Sequence, residues 1–264
     1  MNTIFDQNLK TDEVEKSVLL QDFLKFMHYL DKNPIKLTST GNITLKAIDE
    51  ISKIIEKPKH YLEHGYYIRS QQDWPYLDLL VTLADIAKFT SKRKGFKRVS
   101  PFGRTYLNSV LTTQFSDLFL TYWECLHWGF LFPYGSENNK EWLVDILYEN
   151  RFHVLDIMRS FKKDGDGWVN FHDFAGYLVK QFDLKLINYL GNNLPDRVHD
   201  CIVDVLIEPF FLFGMLEIKG EIYDERRIYK VQSFKLMDTG TKMLSILSPR
   251  IIPINTFGSF FNMN

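Results

Sequence analysis

A short pattern recurs three times along the chain and sets the terms for any fold. A basic residue precedes an apolar one, glycine follows four positions after the apolar residue, and leucine four after that. The copies are Lys36-Leu37…Gly41…Leu45, Arg98-Val99…Gly103…Leu107 and Lys235-Leu236…Gly240…Leu244. Each reads as a strand end turning into a helix. In the second copy Ser100-Pro101 supplies a favoured N-cap and a first helical residue whose missing N–H is no loss there. Thr38 or Ser39 can cap in the first copy, and Asp238 or Thr239 in the third. Apolar residues then recur at helical spacing: Leu45, Ile48, Ile51 and Ile55; Leu107, Val110 and Leu111; Leu244 and Leu247. The competing reading is chance similarity between capped helices.

Composition narrows the partners and the compartment. The chain has 264 residues, 45% hydrophobic and 15% aromatic, enough for two cores. Its formal net charge of −1 gives no global basic field, so nucleic-acid contact requires a local patch. Cys125 and Cys201 lie far apart in apolar surroundings, read as reduced core residues of a cytosolic protein, and are too few for a cysteine zinc site. The N-terminal segment 1–16 is polar, without a secretion signal. The most apolar stretch, 201–218, is broken by Asp204, Glu208 and Pro209, whereas a membrane span needs about 20 apolar residues.

The periodicity predicts helices over 18–30, from Leu45 to about 56, and over 76–89, 115–132, 141–161, 172–182 and 196–215. A hairpin is expected over 90–99 with its turn near Lys94-Gly95, a short strand over 167–171, and a second hairpin over 216–237 with its tip near Asp224. The polar run 135–140 reads as a linker. The fold class is therefore mainly α with small β-hairpins (α+β). It comprises a domain over 17–134 with extra helices, a second over 141–250, and an apolar tail over 251–264.

The second half reads helix, strand, helix, helix, hairpin, helix. Gly167 through Val179, Ile202 through Leu216, and Phe234-Lys235-Leu236…Gly240…Leu247 resemble the winged-helix modules found beside helicases and in prokaryotic regulators. Asn33-Pro34-Ile35-Lys36-Leu37-Thr38-Ser39-Thr40-Gly41-Asn42 resembles a segment of uncharacterised bacterial and archaeal proteins. The resemblance implies two tandem winged-helix domains. It implies a fold more strongly than a function, because winged helices bind DNA or proteins.

Lys88, Ser91, Lys92, Arg93, Lys94, Lys97 and Arg98 surround the first hairpin, with no acid between Lys88 and Arg104. On a wing they would contact DNA phosphates with little sequence choice. The alternative is a solvated tip, and then an interaction scaffold touching no nucleic acid. In the second hairpin Glu221, Asp224 and Glu225 offset Arg226, Arg227 and Lys230, which reads as a protein contact.

Two motifs suggest metals. The loop 162–173 resembles an EF-hand, with Asp164, Asp166 and Gly167 in place, but Lys162 stands where calcium needs its first oxygen, and Asp173 is shorter than the usual Glu. A plain Asp-Gly turn is the expectation. His60-Tyr61-Leu62-Glu63-His64 fits H-x-x-E-H, in which His60 and His64 could hold zinc and Glu63 act as base, but Pro58 and Gly65 bracket barely two turns. His28, His127, His153, His172 and His199 are scattered, and Cys125 has no histidine partner in its sequence context. The chain is expected to be non-enzymatic, with no cofactor, no resident metal and no membrane partner.

Overall fold

The computed structural model describes residues 8–55, 68–131, 138–184, 194–221 and 230–247; of 131, 138–142, 194–197 and 221 it describes the backbone only. The first half runs α1 (Thr11–Val14), α2 (Val18–Lys32), β1 (Ile35–Lys36), α3 (Leu45–Ser52), a 3-10 turn Gln71–Asp73, α4 (Pro75–Ile86), β2 (Thr90–Arg93), β3 (Phe96–Val99), α5 (Pro101–Leu107) and α6 (Leu111–Leu120). A π-helical segment, Thr121–Cys125, continues α6, and a 3-10 turn, Trp128–Leu131, follows. The second half runs α7 (Asn138–Glu149), α8 (Arg151–Ser160), β4 (Val169–Asn170), α9 (Phe171–Gln181), α10 (Leu194–Ile202), a π-helical segment Val203–Ile207, α11 (Glu208–Leu212), β5 (Leu216–Glu221), β6 (Lys230–Leu236) and α12 (Asp238–Leu247). The architecture is mainly helical with two small antiparallel sheets, as the sequence predicts.

The two sheets have the same order, β1-β3-β2 and β4-β6-β5. Their exits also correspond. Ser100 N–H donates to the Phe89 carbonyl (2.9 Å), and Met237 N–H to the Met215 carbonyl (3.0 Å). Three residues beyond Ser100 and Met237 stand Gly103 and Gly240. A Cβ on either would collide with the same carbonyl, that of Phe89 or Met215. Only glycine admits this close approach of helix to strand. The N-cap in the third copy of the pattern is therefore Met237, not Asp238 or Thr239.

The first copy is different, which corrects the expectation of three equivalent turns. Gly41 has φ +86° and lies in a loop, and α3 starts after Thr44. Its counterpart is the EF-hand-like loop. Thr38 N–H donates to the Asn42 carbonyl (2.8 Å), Gly41 N–H to the Thr38 carbonyl (3.0 Å) and Asn42 N–H to Thr38 Oγ1 (3.1 Å). Asp164 repeats each bond: to the Trp168 carbonyl (2.8 Å), from Gly167 N–H (3.0 Å), and from Trp168 N–H to Asp164 Oδ1 (2.8 Å). Gly167 has φ +85°. Both turns lead within three residues into a helix.

Several long helices break where the periodicity continues. The span 141–161 divides at Asn150, and 196–215 passes through α10, a π segment and α11. The helix expected over 76–89 ends at Ile86, because Lys88 adopts φ +58°. Of the linker expected over 135–140, residues 138–140 belong to α7, and 135–137 lie outside the described residues. The tail 251–264 and the second hairpin tip lie outside the described residues.

The halves share one continuous core. Phe115, Phe119 and Trp123 stack along one face of α6 and its π extension, with ring centroids 6.4 and 6.1 Å apart. Phe213 meets Phe115 edge-on at 5.7 Å, and Phe210 meets Trp123 at 5.5 Å. The wide turn of a π segment leaves backbone carbonyls off the regular ladder, and Tyr122 in one donates its hydroxyl to the Val205 carbonyl in the other (2.7 Å). No described helix is long and apolar enough to cross a membrane.

Candidate nucleic-acid interface

Strand parity sorts the basic hairpin. Residues directly opposite in an antiparallel pair share a face. Ser91 pairs Arg98, and Arg93 and Lys36 both pair Phe96, so these five share the outer face. Thr90, Lys92, Lys97, Val99 and Ile35 take the inner face. Lys36, Ser91, Arg93 and Arg98 are exposed. Phe96 is half-buried, with the Arg98 guanidinium 5.9 Å from its ring centroid. The outer face thus carries three cations, a hydroxyl and a ring, without an acid. Lys94 and Gly95 have φ +51° and +74°, the two left-handed residues of a type I′ turn, which suits the twist of the strands. Lys88 and Lys94 are exposed at the two ends of β2, and Lys92 is exposed on the inner face.

Lys97 leaves the candidate set. Its side chain is 1% exposed, and Nζ is ion-paired to Asp85, which also accepts from Thr90 Oγ1. Burial lowers the Lys97 pKa, and the Asp85 carboxylate opposes that shift. Lys36 and Phe96 join instead. Their signal in the sequence is β alternation, once β1 is known to pair with β3.

Among the described side chains, the helices that precede each hairpin offer no matching face. On α4 only Pro75 and Asp85 are exposed. Asp78 is buried there, and burial raises its carboxyl above the ordinary value even though a hydrogen bond from Gln71 lowers it. Gln71 Oε1 accepts from Ile43 N–H (3.2 Å), so this network ties the α3 entry to α4. Along 198–212 the one exposed residue is Asp204, with Asp200 and Glu208 half-buried one turn to either side.

Catalytic groupings fare poorly. The charges that act on Cys125 are those of Glu124 and Arg151. His127 Nε2 lies 3.5 Å from Asp145, and its Nδ1 accepts from Gly129 N–H (3.3 Å). Cys125 is exposed, against expectation, whereas Cys201 is buried. Burial pushes the Cys125 thiol upward, Glu124 adds to this and Arg151 opposes it, the reverse of an activated nucleophile. His172 and His199 meet edge-on at 5.0 Å. Among the described residues no three potential ligands are grouped to hold a metal. The Asp164 carboxylate accepts from the Asp166 and Trp168 amides (3.0 and 2.8 Å), so it closes the turn. His60, Glu63, His64, Arg226 and Arg227 lie outside the described residues, and Lys230 opens β6, exposed.

No protein-family model matches the chain, and neither a characterised protein nor a solved structure matches it significantly.

Proposed function

We propose that this is a non-enzymatic tandem winged-helix protein that binds DNA along its phosphate backbone through the outer face of the first sheet. The observation behind this reading is the acid-free set Lys36, Arg93 and Arg98 flanked by Ser91, with Lys97 withdrawn and neutralised by Asp85. Helix, strand, helix, helix, hairpin in each half, with a shared strand order, supports the winged-helix assignment. Among the described side chains, the helices before each hairpin present no exposed cation to read base edges, in keeping with sequence-independent binding. The free cysteines are in keeping with a cytoplasmic setting.

The test is affinity for a duplex as a function of salt. Each phosphate contact contributes a slope of about −0.9 in log K against log salt. Replacing Lys36, Arg93 and Arg98 together by Gln should flatten the slope by about 2–3 and abolish binding at physiological salt. Unchanged affinity removes the assignment. A second reading, a winged-helix scaffold for a protein partner, is favoured by the same lack of exposed cations among the described side chains of those helices, and stands if the wild type binds no nucleic acid.

A further inference from the structure

The second sheet repeats the cation positions of the first. Counting from the shared exits, Lys235 occupies the place of Arg98 and Lys219 that of Arg93. The pairing agrees: Glu217 faces Lys235 as Ser91 faces Arg98, and Lys219 faces Ser233 as Arg93 faces Phe96. Their inner-face neighbours Leu216 and Phe234 are buried and Ile218 is half-buried, so Lys219 and Lys235 point outward.

Here the aromatic ring comes from the turn before β4. Trp168 is half-buried, with Lys219 Nζ 3.8 Å from its ring centroid and Lys235 Nζ 6.0 Å from it. Its backbone is fixed on both sides, the carbonyl accepting from Asp164 N–H and the amide donating to Asp164 Oδ1, each 2.8 Å. The Gly167 backbone lies against Lys235, whose Cε would be 3.6 Å from a Cβ there. Lys162 and Lys163 are exposed at the start of the same loop. Among the described side chains of this sheet face and loop the acids are Glu217, Asp164 and Asp166, and the Asp164 carboxylate is engaged by two amides.

We infer that this face is a second nucleic-acid site, and that its ligand is a single strand. A rigidly mounted indole with two lysines at its face is a stacking platform beside phosphate-binding cations, the combination that holds unpaired bases. A duplex keeps its bases stacked internally and has none to place on the ring. On binding, a base takes the indole face and the lysine heads move to the flanking phosphates. This site is separate from the first sheet and does not depend on the reading given to that sheet.

The experiment measures binding of the full chain to labelled oligothymidine and to a duplex. In Lys219→Glu/Lys235→Glu and in Trp168→Leu, affinity for oligothymidine falls at least about tenfold, while Trp168→Leu leaves duplex affinity unchanged. If Trp168→Leu does not fold by circular dichroism, the lysine pair decides, Lys219 being exposed and Lys235 half-buried. In Arg93→Glu/Arg98→Glu, duplex binding is lost while the oligothymidine still protects or quenches Trp168. Oligothymidine affinity equal in wild type and lysine-pair variant overturns the inference, as does a wild type that binds only a protein partner. Unchanged duplex binding in the arginine-pair variant, with oligothymidine lost in the lysine-pair variant, overturns the first-sheet reading alone.

Discussion

Lys97 and Arg98 are neighbours in sequence and face opposite sides of one sheet. A charge run gives no parity until the register is fixed, and the register depends on β1 pairing with β3 some 60 residues later. Lys97→Met keeps the stem volume and removes a buried charge, so nucleic-acid affinity should stay within about twofold and stability should hold or rise. Asp85→Ala leaves Lys97 buried without its counter-ion and should cost about 1–3 kcal/mol in a denaturant titration. Loss of DNA binding on Lys97→Met would return that residue to the interface. Glycines separate by the same kind of local argument. Gly103→Ala and Gly240→Ala each force a methyl group onto a carbonyl and should cost about 1–3 kcal/mol, with Asn no better. Gly41 needs its backbone conformation and not the space, since the nearest atom to a Cβ there is Lys92 Nζ at 3.9 Å. Gly41→Asn should therefore cost less than Gly41→Val, because Asn tolerates the left-handed region. A loss at Gly41 with none at Gly103 and Gly240 would show that φ alone decides.

Elements were legible where period and turn chemistry agree. The hairpin 90–99 with its turn at Lys94-Gly95, the helix 18–30 and the strand-to-helix exits at Gly103 and Gly240 fall where the pattern puts them. The Thr38 and Asp164 turns did not, because one uses a hydroxyl and the other a carboxylate for the same bond, and a search by residue identity pairs Gly41 with the wrong glycines. The π segments were equally invisible: their apolar residues continue a helical period, and only packing across the halves shows the insertion. Between elements, the Ile43–Gln71–Asp78 link makes a pH prediction. The raised Asp78 carboxyl means that the fold holds that proton more tightly than the unfolded chain does. Its contribution is complete below the ordinary value of 3.8 and is lost as pH rises through the native value. Asp78→Asn keeps an acceptor for Gln71 and carries no charge, so it should melt above wild type at neutral pH, with the gap closing on acidification toward 3.8. A gap that widens on acidification would contradict a raised carboxyl.

At the scale of the whole molecule, a linker read at 135–140 suggested two independent domains, and the aromatic seam argues for one cooperative unit. Loop composition reports where the chain turns, not what the flanking helices bury. Phe115, Phe119, Tyr122, Trp123, Phe210 and Phe213 are each 0% exposed and come from both halves. Burying six such side chains is worth on the order of 10 kcal/mol, comparable with the whole stability of an ordinary domain. Even half of that lost on separation would leave neither half folded. Two further ties cross the seam: Ser17 Oγ donates to the Leu212 carbonyl (3.3 Å), and Lys242 pairs Glu13 (2.5 Å). The full chain should therefore melt in a single calorimetric transition, with calorimetric and van't Hoff enthalpies in agreement. Tyr122→Phe, which removes the hydroxyl donor to the Val205 carbonyl, should shift that one transition by about 1–2 kcal/mol without splitting it. Expressed alone, the fragment 138–264 should bind a hydrophobic dye and lack a cooperative melt, and adding the fragment 1–137 should restore both order and the melting temperature. A fragment 138–264 that melts cooperatively at the temperature of the full chain would show that the seam joins two finished domains and not one.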